Sequence, residues 1–379
     1  MFSLTLTGAA ILLSVYFFWR FRAAFRRLGW WYLPVAAVLM MLACGRILGR
    51  LARRSGWEDL ADVLGMATVF WLVLLFWFLT ADLALGLWNA GIRLAARWRP
   101  NSRRLSVAPR AGFLACAAAV LLASVWGWFE ASNIRVNHVT VELADLPPEL
   151  DGIRIAQITD LHVGSPRSRQ RLEATIARLG EIQFDLLVST GDLVDGDLDD
   201  IGHLAERLAV IHAPLGKYAV FGNHDFYAGP DNSLRFHQDA GFQVLRQASA
   251  IPAEGLRLVG VDDPAAMRFD GGRYLDEMPV LDGEPRQDAV LLLKHRPQIN
   301  QAALGRFDLQ LSGHTHGGQV FPFGLLVWAS QGYWPGLHEL GNGSRMWLSR
   351  GTGTWGPPLR LASPPEITLI ELRRAGAGR

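Results

Sequence analysis

Nine side chains stand out by type and spacing: Asp160, His162, Asp192, Asn223, His224, Asp225, His295, His314 and His316. Asp160 and His162 are separated by one residue, as are His314 and His316. In an extended segment residues two apart point the same way, so each couple is a ready-made ligand pair. Asp160, His162, Asp192, Asn223, His295, His314 and His316 together offer three oxygen-type donors and four imidazoles, with no thiolate. That is too many for one tetrahedral ion. It suits two ions roughly 3.5–4 Å apart that share a bridging carboxylate, the arrangement of hydrolytic two-metal centres. Mixed nitrogen and oxygen donors favour Mn2+, Zn2+, Fe or Ni2+ over calcium or a thiolate-preferring metal. Each motif alone is weak: Asp-x-His is common, Gly-Asp is a turn, and a lone histidine is usually an ordinary polar residue. His138, His203, His212, His237 and His338 lie outside the clusters and are read that way. The two cysteines, Cys44 and Cys116, lie in apolar runs, so thiol chemistry is excluded.

The clusters gain weight from the elements that must carry them. Short apolar runs precede each one: Ile153–Thr159 before Asp160, Asp185–Ser189 before Gly191-Asp192, and Tyr218–Phe221 before Gly222-Asn223-His224-Asp225. Further on, Leu256–Val261 precedes Asp262-Asp263, Ala289–Leu293 precedes Lys294-His295, and Phe307–Leu311 precedes Gly313-His314-Thr315-His316. Between them Ser165-Pro166 offers a helix start, and Leu172, Ile176 and Leu179 recur at helical spacing before Gly180. Ile201, Leu204, Leu208 and Ile211 mark a second helix. Strand and helix alternate, which predicts an α/β domain with a buried sheet and its polar clusters at the carboxyl ends of strands. The stretch Phe321–Leu337 is apolar and aromatic. It is read as two core strands joined by a Gly-Pro turn, with an acyl-chain site as the other reading.

The first third of the chain has a different texture. Residues 1–133 hold 14 Arg against 5 acidic residues, whereas residues 134–379 hold 23 basic against 30 acidic. A uniformly basic nucleic-acid binder is excluded, as are a single soluble globule, a disordered chain and a coiled coil. The expected division is a transmembrane anchor over 1–133 and a catalytic domain over 134–379. Four stretches, at about 1–19, 28–45, 63–81 and 111–129, are uncharged for long enough to cross a bilayer, which takes about 20 residues. Trp19, Trp30, Trp31, Tyr32, Trp126 and Trp128 stand near their ends, as an interfacial aromatic belt requires. The loops after the first and third spans carry ten arginines against four in the loop between the second and third. Basic loops face the cytoplasm, so the amino terminus and everything after Phe129 are expected outside. Asp82, at the end of its run, reads as an interfacial structural residue.

Asp160-x-His162, Gly191-Asp192, Gly222-Asn223-His224-Asp225, His295 and Gly313-His314-x-His316 resemble the ordered motif set of the calcineurin-like metallophosphoesterases, over roughly residues 150–370. The extended Gly313–Gln319 block and the tail Gly356-Pro357-Pro358…Arg360…Pro364-Pro365-Glu366 are similar to the family's membrane-associated bacterial branch. Ser102-Arg103-Arg104-Leu105 stands where several members of that branch carry a twin-arginine signal.

The resemblance implies a four-layer α/β/β/α sandwich: two mixed sheets face to face, with helices outside. It also implies that Asp160, His162 and His316 hold one metal. Asn223, His295 and His314 would hold the second, Asp192 would bridge, His224 would be the catalytic histidine and Asp225 would orient it. The function it implies is phosphoester hydrolysis by a metal-bridging hydroxide, monoester or diester, with two divalent cations as cofactors. The expected location is a bacterial inner membrane, with the catalytic domain extracytoplasmic. The expected partners are membrane lipids and a phosphoester substrate, such as a phospholipid; nucleic acid is not among them. Two other readings are a cytoplasm-facing pyrophosphatase of UDP-linked lipid A precursors and a non-catalytic sensor that binds a phosphoryl ligand.

Overall fold

In the computed structural model the described residues are all except 1, 145, 165–167, 197, 199–200, 270–275, 283–287 and 377–379. The helix start expected at Ser165-Pro166 lies outside them. The chain forms two compact units, Met1–Gly127 and Trp128–Arg379.

The first unit is helical. Helices α1 (Phe2–Ala24), α2 (Tyr32–Arg54), α3 (Glu58–Ala95) and α4 (Pro109–Ser132) are each long and apolar enough to cross a membrane. All four extend beyond the uncharged stretches. Charged residues in the last turns, such as Arg22, Arg53 and Arg54, continue the helices past the apolar segment. Phe17, Phe78 and Phe113 bring α1, α3 and α4 together, with ring centroids 4.8–5.3 Å apart in tilted or edge-on pairs. Asp82 is buried in α3, accepting hydrogen bonds from Tyr16 Oη and from Arg20 Nη2, the latter at 2.6 Å. Its carboxylate is thus paired within the helices, in keeping with a structural role.

After α4 come β1 (Arg135–Leu143), β2 (Arg154–Ile158), α5 (Ser168–Gly180), β3 (Leu186–Ser189), α6 (Gly202–Ala209) and β4 (Lys217–Ala219). The chain continues through α7 (Asn223–Tyr227), α8 (Pro230–Asp239), β5 (Gln243–Val244), β6 (Ala248–Ala253) and β7 (Leu256–Gly260). It closes with α9 (Met278–Leu281), β8 (Ala289–Leu293), β9 (Leu309–Ser312), α10 (Phe323–Gln331), β10 (Gly336–Gly341), β11 (Ser344–Leu348) and β12 (Glu366–Arg374).

Two six-stranded sheets result, in the orders β1-β12-β2-β3-β4-β5 and β10-β11-β9-β8-β7-β6. Both are mixed. In the first, β2 through β5 run parallel while β12 lies antiparallel to β2. In the second, β7, β8, β9 and β11 run parallel, and β6 and β10 are antiparallel edges.

Alternation along the strands explains the layering. Leu186 and Val188 of β3 and Leu291 and Leu293 of β8 fill the space between the sheets. Their neighbours point the other way: Leu187 packs with α5, α6 and α8 through Leu172, Leu204 and Phe236, while Val290 and Leu292 pack against Leu281 and Phe307. Strands buried on both faces read as unbroken apolar runs, which is why β3 and β8 carry no polar alternation. Each fully buried Leu or Val contributes about 1.5–3 kcal/mol of transfer free energy, so these central strands fix the frame.

Two buried polar side chains tie helices to the first sheet. Lys217, at the start of β4, donates to the carbonyls of Leu208 (2.9 Å) and Ala240 (2.7 Å), where α6 and α8 end. A cation there complements both helix dipoles, although burial lowers its pKa to about 8. His237 of α8 is fully buried beside Phe221 and Phe242, and its Nδ1–H donates to Ser233 O at 2.7 Å. Burial lowers its pKa from 6.5 to about 4.

Because the folded state resists protonating His237, the unfolded chain binds the extra proton below pH 6.5. Its contribution to stability is therefore complete above that pH and falls as acid approaches pH 4. Between pH 7 and 5 this one group should account for about 2 kcal/mol of lost stability. Denaturant unfolding of the catalytic unit within the full chain should show that loss shrinking in His237→Leu; an unchanged acid dependence would mean that the imidazole is solvated.

Candidate metal centre

Five loops supply the site, and each follows the carboxyl end of a parallel strand. Asp160 and His162 follow β2, Asp192 follows β3, Asn223 and His224 open α7 after β4, His295 follows β8, and His314 and His316 follow β9. The expected side chains converge. Asp160, His162 and His316 place ligand atoms within 4.8 Å of one another; so do His162, Asp192 and His224, and so do Asp192, His295 and His314. Asp192 belongs to two of these groups. His162 Nε2 stands 3.2 Å from His316 Nε2, and His314 Nδ1 stands 3.2 Å from His295 Nε2. Ring nitrogens that close require a proton or a cation between them.

An unusual backbone turns the side chains inward. Asp160 (φ 56°), His162 (52°), Asp192 (53°), His314 (71°) and His316 (49°) all lie in the left-handed region. Each such non-glycine residue costs about 1–3 kcal/mol, and concentrations of that strain mark functional sites. Two glycines make room between the loops. A Cβ on Gly222 would lie 2.2 Å from Asp192 Oδ1, and one on Gly313 would lie 2.3 Å from Asp160 Oδ2.

The electrostatics are those of a site built around positive charge. Asp160 and Asp192 are both buried. Burial pushes the Asp160 carboxyl up. At Asp192 burial acts the same way, but the His295 imidazole, 3.1 Å from Oδ2, prevails and holds it well below the usual range. In turn burial would lower His295, yet Asp192 and Asp160 raise it to about 10. His314 is depressed to about 3, mainly by burial and then by His295 and Arg296, and burial with the Arg360 charge holds His316 far below 6.5. Neutral imidazole is the form that binds a metal. His295 Nδ1–H donates to Thr190 O at 2.8 Å, which leaves Nε2 facing the site.

The donors fit cations by two further observations. Asn223 Oδ1 is buried and has no hydrogen-bond partner. A buried amide oxygen without a partner costs about 1–3 kcal/mol unless something positive meets it. Asp192 meanwhile anchors the neighbouring loop, its Oδ1 accepting from His224 N at 2.7 Å while Oδ2 faces His295.

The structure departs from the sequence reading at one acid. Asp225 does not orient His224. Its carboxylate accepts from the backbone N–H groups of Asp192 (2.7 Å), Gly222 (2.8 Å) and Val194 (3.1 Å), which locks the β3 and β4 loops together. The partner of His224 is Asp195, whose Oδ1 lies 2.8 Å from Nδ1, while Oδ2 lies 3.3 Å from His162 Nδ1. Burial would lower His224, but Asp195 and Asp192 raise it to about 9. Asp195 itself is held well below the carboxylate range by both imidazoles, against burial. A second acid three residues beyond Asp192 was visible in the sequence, but its use depends on the turn through Leu193 and Val194.

Arg360 is the other residue whose role the sequence left open. Completely buried, it donates from Nη1 to the carbonyls of His316 (2.9 Å) and Arg350 (2.8 Å), and Nη2 lies 3.2 Å from His316 Nδ1. Nearby, Glu366 accepts from Arg350 N and Nε, both at 3.0 Å. The Arg360…Glu366 tail therefore serves as the scaffold of the His316 loop. His224 and His314 are the half-buried members of the centre, with Tyr227 and Trp355 flanking His224 at ring distances of 5.5 and 6.3 Å.

A family model described as calcineurin-like phosphoesterase matches residues 153–318. An uncharacterized metallophosphoesterase of Aquifex aeolicus is 38% identical over 262 residues, covering 68% of this chain and 98% of that protein. A transmembrane protein with metallophosphoesterase domain from Danio rerio is 31% identical over 264 residues, covering 66% of this chain but only 60% of its own length. Among solved structures, a dimetal phosphatase from Danio rerio is similar at 13% identity and TM-score 0.35, over 55% of this chain and 90% of that one.

The chain belongs to the calcineurin-like metallophosphoesterase family. It is accordingly a metal-dependent phosphoesterase, and the family's dinuclear divalent centre matches the clustered donors.

The two acids should separate by experiment. Asp195→Asn should lower turnover and metal affinity by about 10- to 100-fold at an unchanged melting temperature, since only the orienting partner of two imidazoles is altered. Asp225→Asn should instead lower the melting temperature, because an amide N–H would confront backbone donors. The reverse pattern in activity assays and thermal melts would restore Asp225 as the orienting acid.

Proposed function

We propose that the protein is a membrane-anchored phosphohydrolase. Its metal centre faces the extracytoplasmic side of a bacterial inner membrane and acts on a phosphodiester or phosphomonoester of the envelope, a phospholipid among them. The convergence of Asp160, His162, Asp192, His295, His314 and His316 carries the reading, and the buried, unpartnered Asn223 Oδ1 offers a further donor. Asp160, His162 and His316 would hold one cation, and Asn223, His295 and His314 the other, with Asp192 between them. Bound there, two divalent ions supply a nucleophile from water at neutral pH and neutralise charge on the phosphoryl oxygens. The mixed donor set favours manganese, iron, zinc or nickel.

The protein's own part is positioning and proton transfer. His224 and His314, the half-buried imidazoles, are the members of the centre that solvent reaches. His224, held by Asp195 through Nδ1, would donate a hydrogen bond or a proton to the leaving oxygen, and Asp195 fixes which ring nitrogen faces the site. Because Asp195 also contacts His162, the proton donor and the ligand cluster share one orienting acid. Support for the membrane comes from the four apolar helices and for the orientation from the arginine balance of their loops.

Detergent-solubilised protein assayed on aryl phosphoesters and phospholipids, with manganese, zinc, nickel or iron restored, tests the reading. Asp192→Asn should lose bound metal and turnover together. His224→Ala should keep its metal and slow substrates with poor leaving groups by about 100-fold or more. Stoichiometric metal with no hydrolysis of any ester in the panel would favour a phosphoryl-ligand sensor.

Orientation has its own readout. A carboxy-terminal alkaline phosphatase fusion should be active; a silent fusion would place the centre in the cytoplasm and favour a nucleotide-linked lipid pyrophosphatase.

A further inference from the structure

The segment after the last metal-ligand motif differs from its expected form. Rather than two core strands, Phe321–Leu337 contains α10, whose large side chains lie on the surface. Leu325, Leu326, Trp328 and Trp334 are all exposed, Leu326 at 57%, and Gly324 is the buried residue of the helix. Residues 317–337 contain no charged side chain. Val210 and Ile251, exposed aliphatic residues elsewhere in the catalytic unit, have no other exposed large apolar residue beside them in the sequence. A contiguous apolar patch of this kind marks an interaction surface.

We propose that α10 and its flanks insert into the surface of the bilayer that the chain itself spans, setting the metal centre at the level of the lipid phosphates. Three observations select a bilayer. The segment offers apolar and aromatic side chains on successive positions, with no charge to fix the register of a protein partner. Trp328 and Trp334 stack at 5.9 Å and 10°, and such amphipathic rings settle at the headgroup boundary. Finally, α4 ends at Ser132 and β1 begins at Arg135, so only Asn133 and Ile134 separate a helix long and apolar enough to cross a membrane from the first strand of the catalytic unit.

The segment is also fixed to the site. A Cβ on Gly318 would lie 2.2 Å from Gly324 Cα, so the start of α10 packs directly on the turn that carries His316. Depth of insertion would thus set the height of the metal centre. The insertion depends on α1–α4 spanning a membrane and not on hydrolysis; only the preference for lipid phosphates rests on the proposed function.

The full chain with Cys44→Ala and Cys116→Ala, carrying a fluorophore at Leu326→Cys or at Val210→Cys, would be reconstituted in phosphatidylethanolamine–phosphatidylglycerol vesicles. The label at 326 should be quenched at least twofold by lipids spin-labelled near the headgroup and spared by aqueous iodide; the label at 210 should behave oppositely. Quenching at 326 that follows the mole fraction of spin-labelled lipid supports insertion. Saturation at low mole fraction marks one captured lipid and overturns it, as does a label at 326 that lipid never quenches.

Photocrosslinking of the unsubstituted chain by a diazirine-bearing phospholipid provides a check without substitutions. Adducts are expected within residues 321–337 as well as in α1–α4, and adducts confined to α1–α4 would overturn the insertion. Failure of the chain to float with vesicles at all would instead refute the anchoring.

Discussion

Two buried carboxylates that face one centre govern the catalytic unit. Asp160 and Asp192 cannot both be ionised in a low-dielectric interior without positive charge nearby. The surrounding structure supplies it in layers. The His295 imidazole faces Asp192, the His314 backbone N–H and the Thr159 hydroxyl donate to Asp160, and the rings of His162, His314 and His316 close the cluster. Burial raises Asp160 and depresses His314 and His316, which keeps those two imidazoles in the neutral form that binds a metal. The strained left-handed turns make sense on the same footing. Their cost is met by central strands whose two buried faces leave the loops little alternative conformation.

That demand reaches beyond the ligands. Asp225 gathers three backbone donors from the β3 and β4 loops, and Asp195 couples His224 to His162. The first acid holds two loops in register; the second joins a proton donor to the metal-ligand set. Neither role follows from residue type, since both are aspartates beside a ligand motif. Placement decides between them: one carboxylate lies behind the backbone, the other in front of the imidazoles.

Much of this was legible in the sequence. The central strands were visible because residues buried on both faces must be apolar throughout, and the ligands because they end those strands. The strands at the far ends of the catalytic unit's sequence were less clear. β1 and β12 pair across more than two hundred residues of chain, and no local feature announces a parallel partner that distant. Asp195 was missed as an orienting acid because the turn through Leu193 and Val194 exists only once β3 has its neighbours. Phe321–Leu337 misled for a different reason. Composition cannot tell an apolar segment made for the core from one made for another apolar medium, and the core is the commoner case.

The same segment shows how one loop can serve two demands. His316 must be held rigidly to keep its nitrogen in the centre, and Arg360 does this by bonding the carbonyls of His316 and Arg350 from a fully buried position. Such a guanidinium is stable there only because backbone oxygens from several turns satisfy it, so the turn it holds has few ways to move. The start of α10 packs on that rigid turn at Gly318, with no room for a side chain between them. An apolar helix on a flexible loop could meet a lipid surface without informing the site of its position. Fixed through Gly318 and Arg360, α10 cannot move far without displacing His316. The geometry that protects the metal ligand is therefore what would let the catalytic centre register its distance from the bilayer.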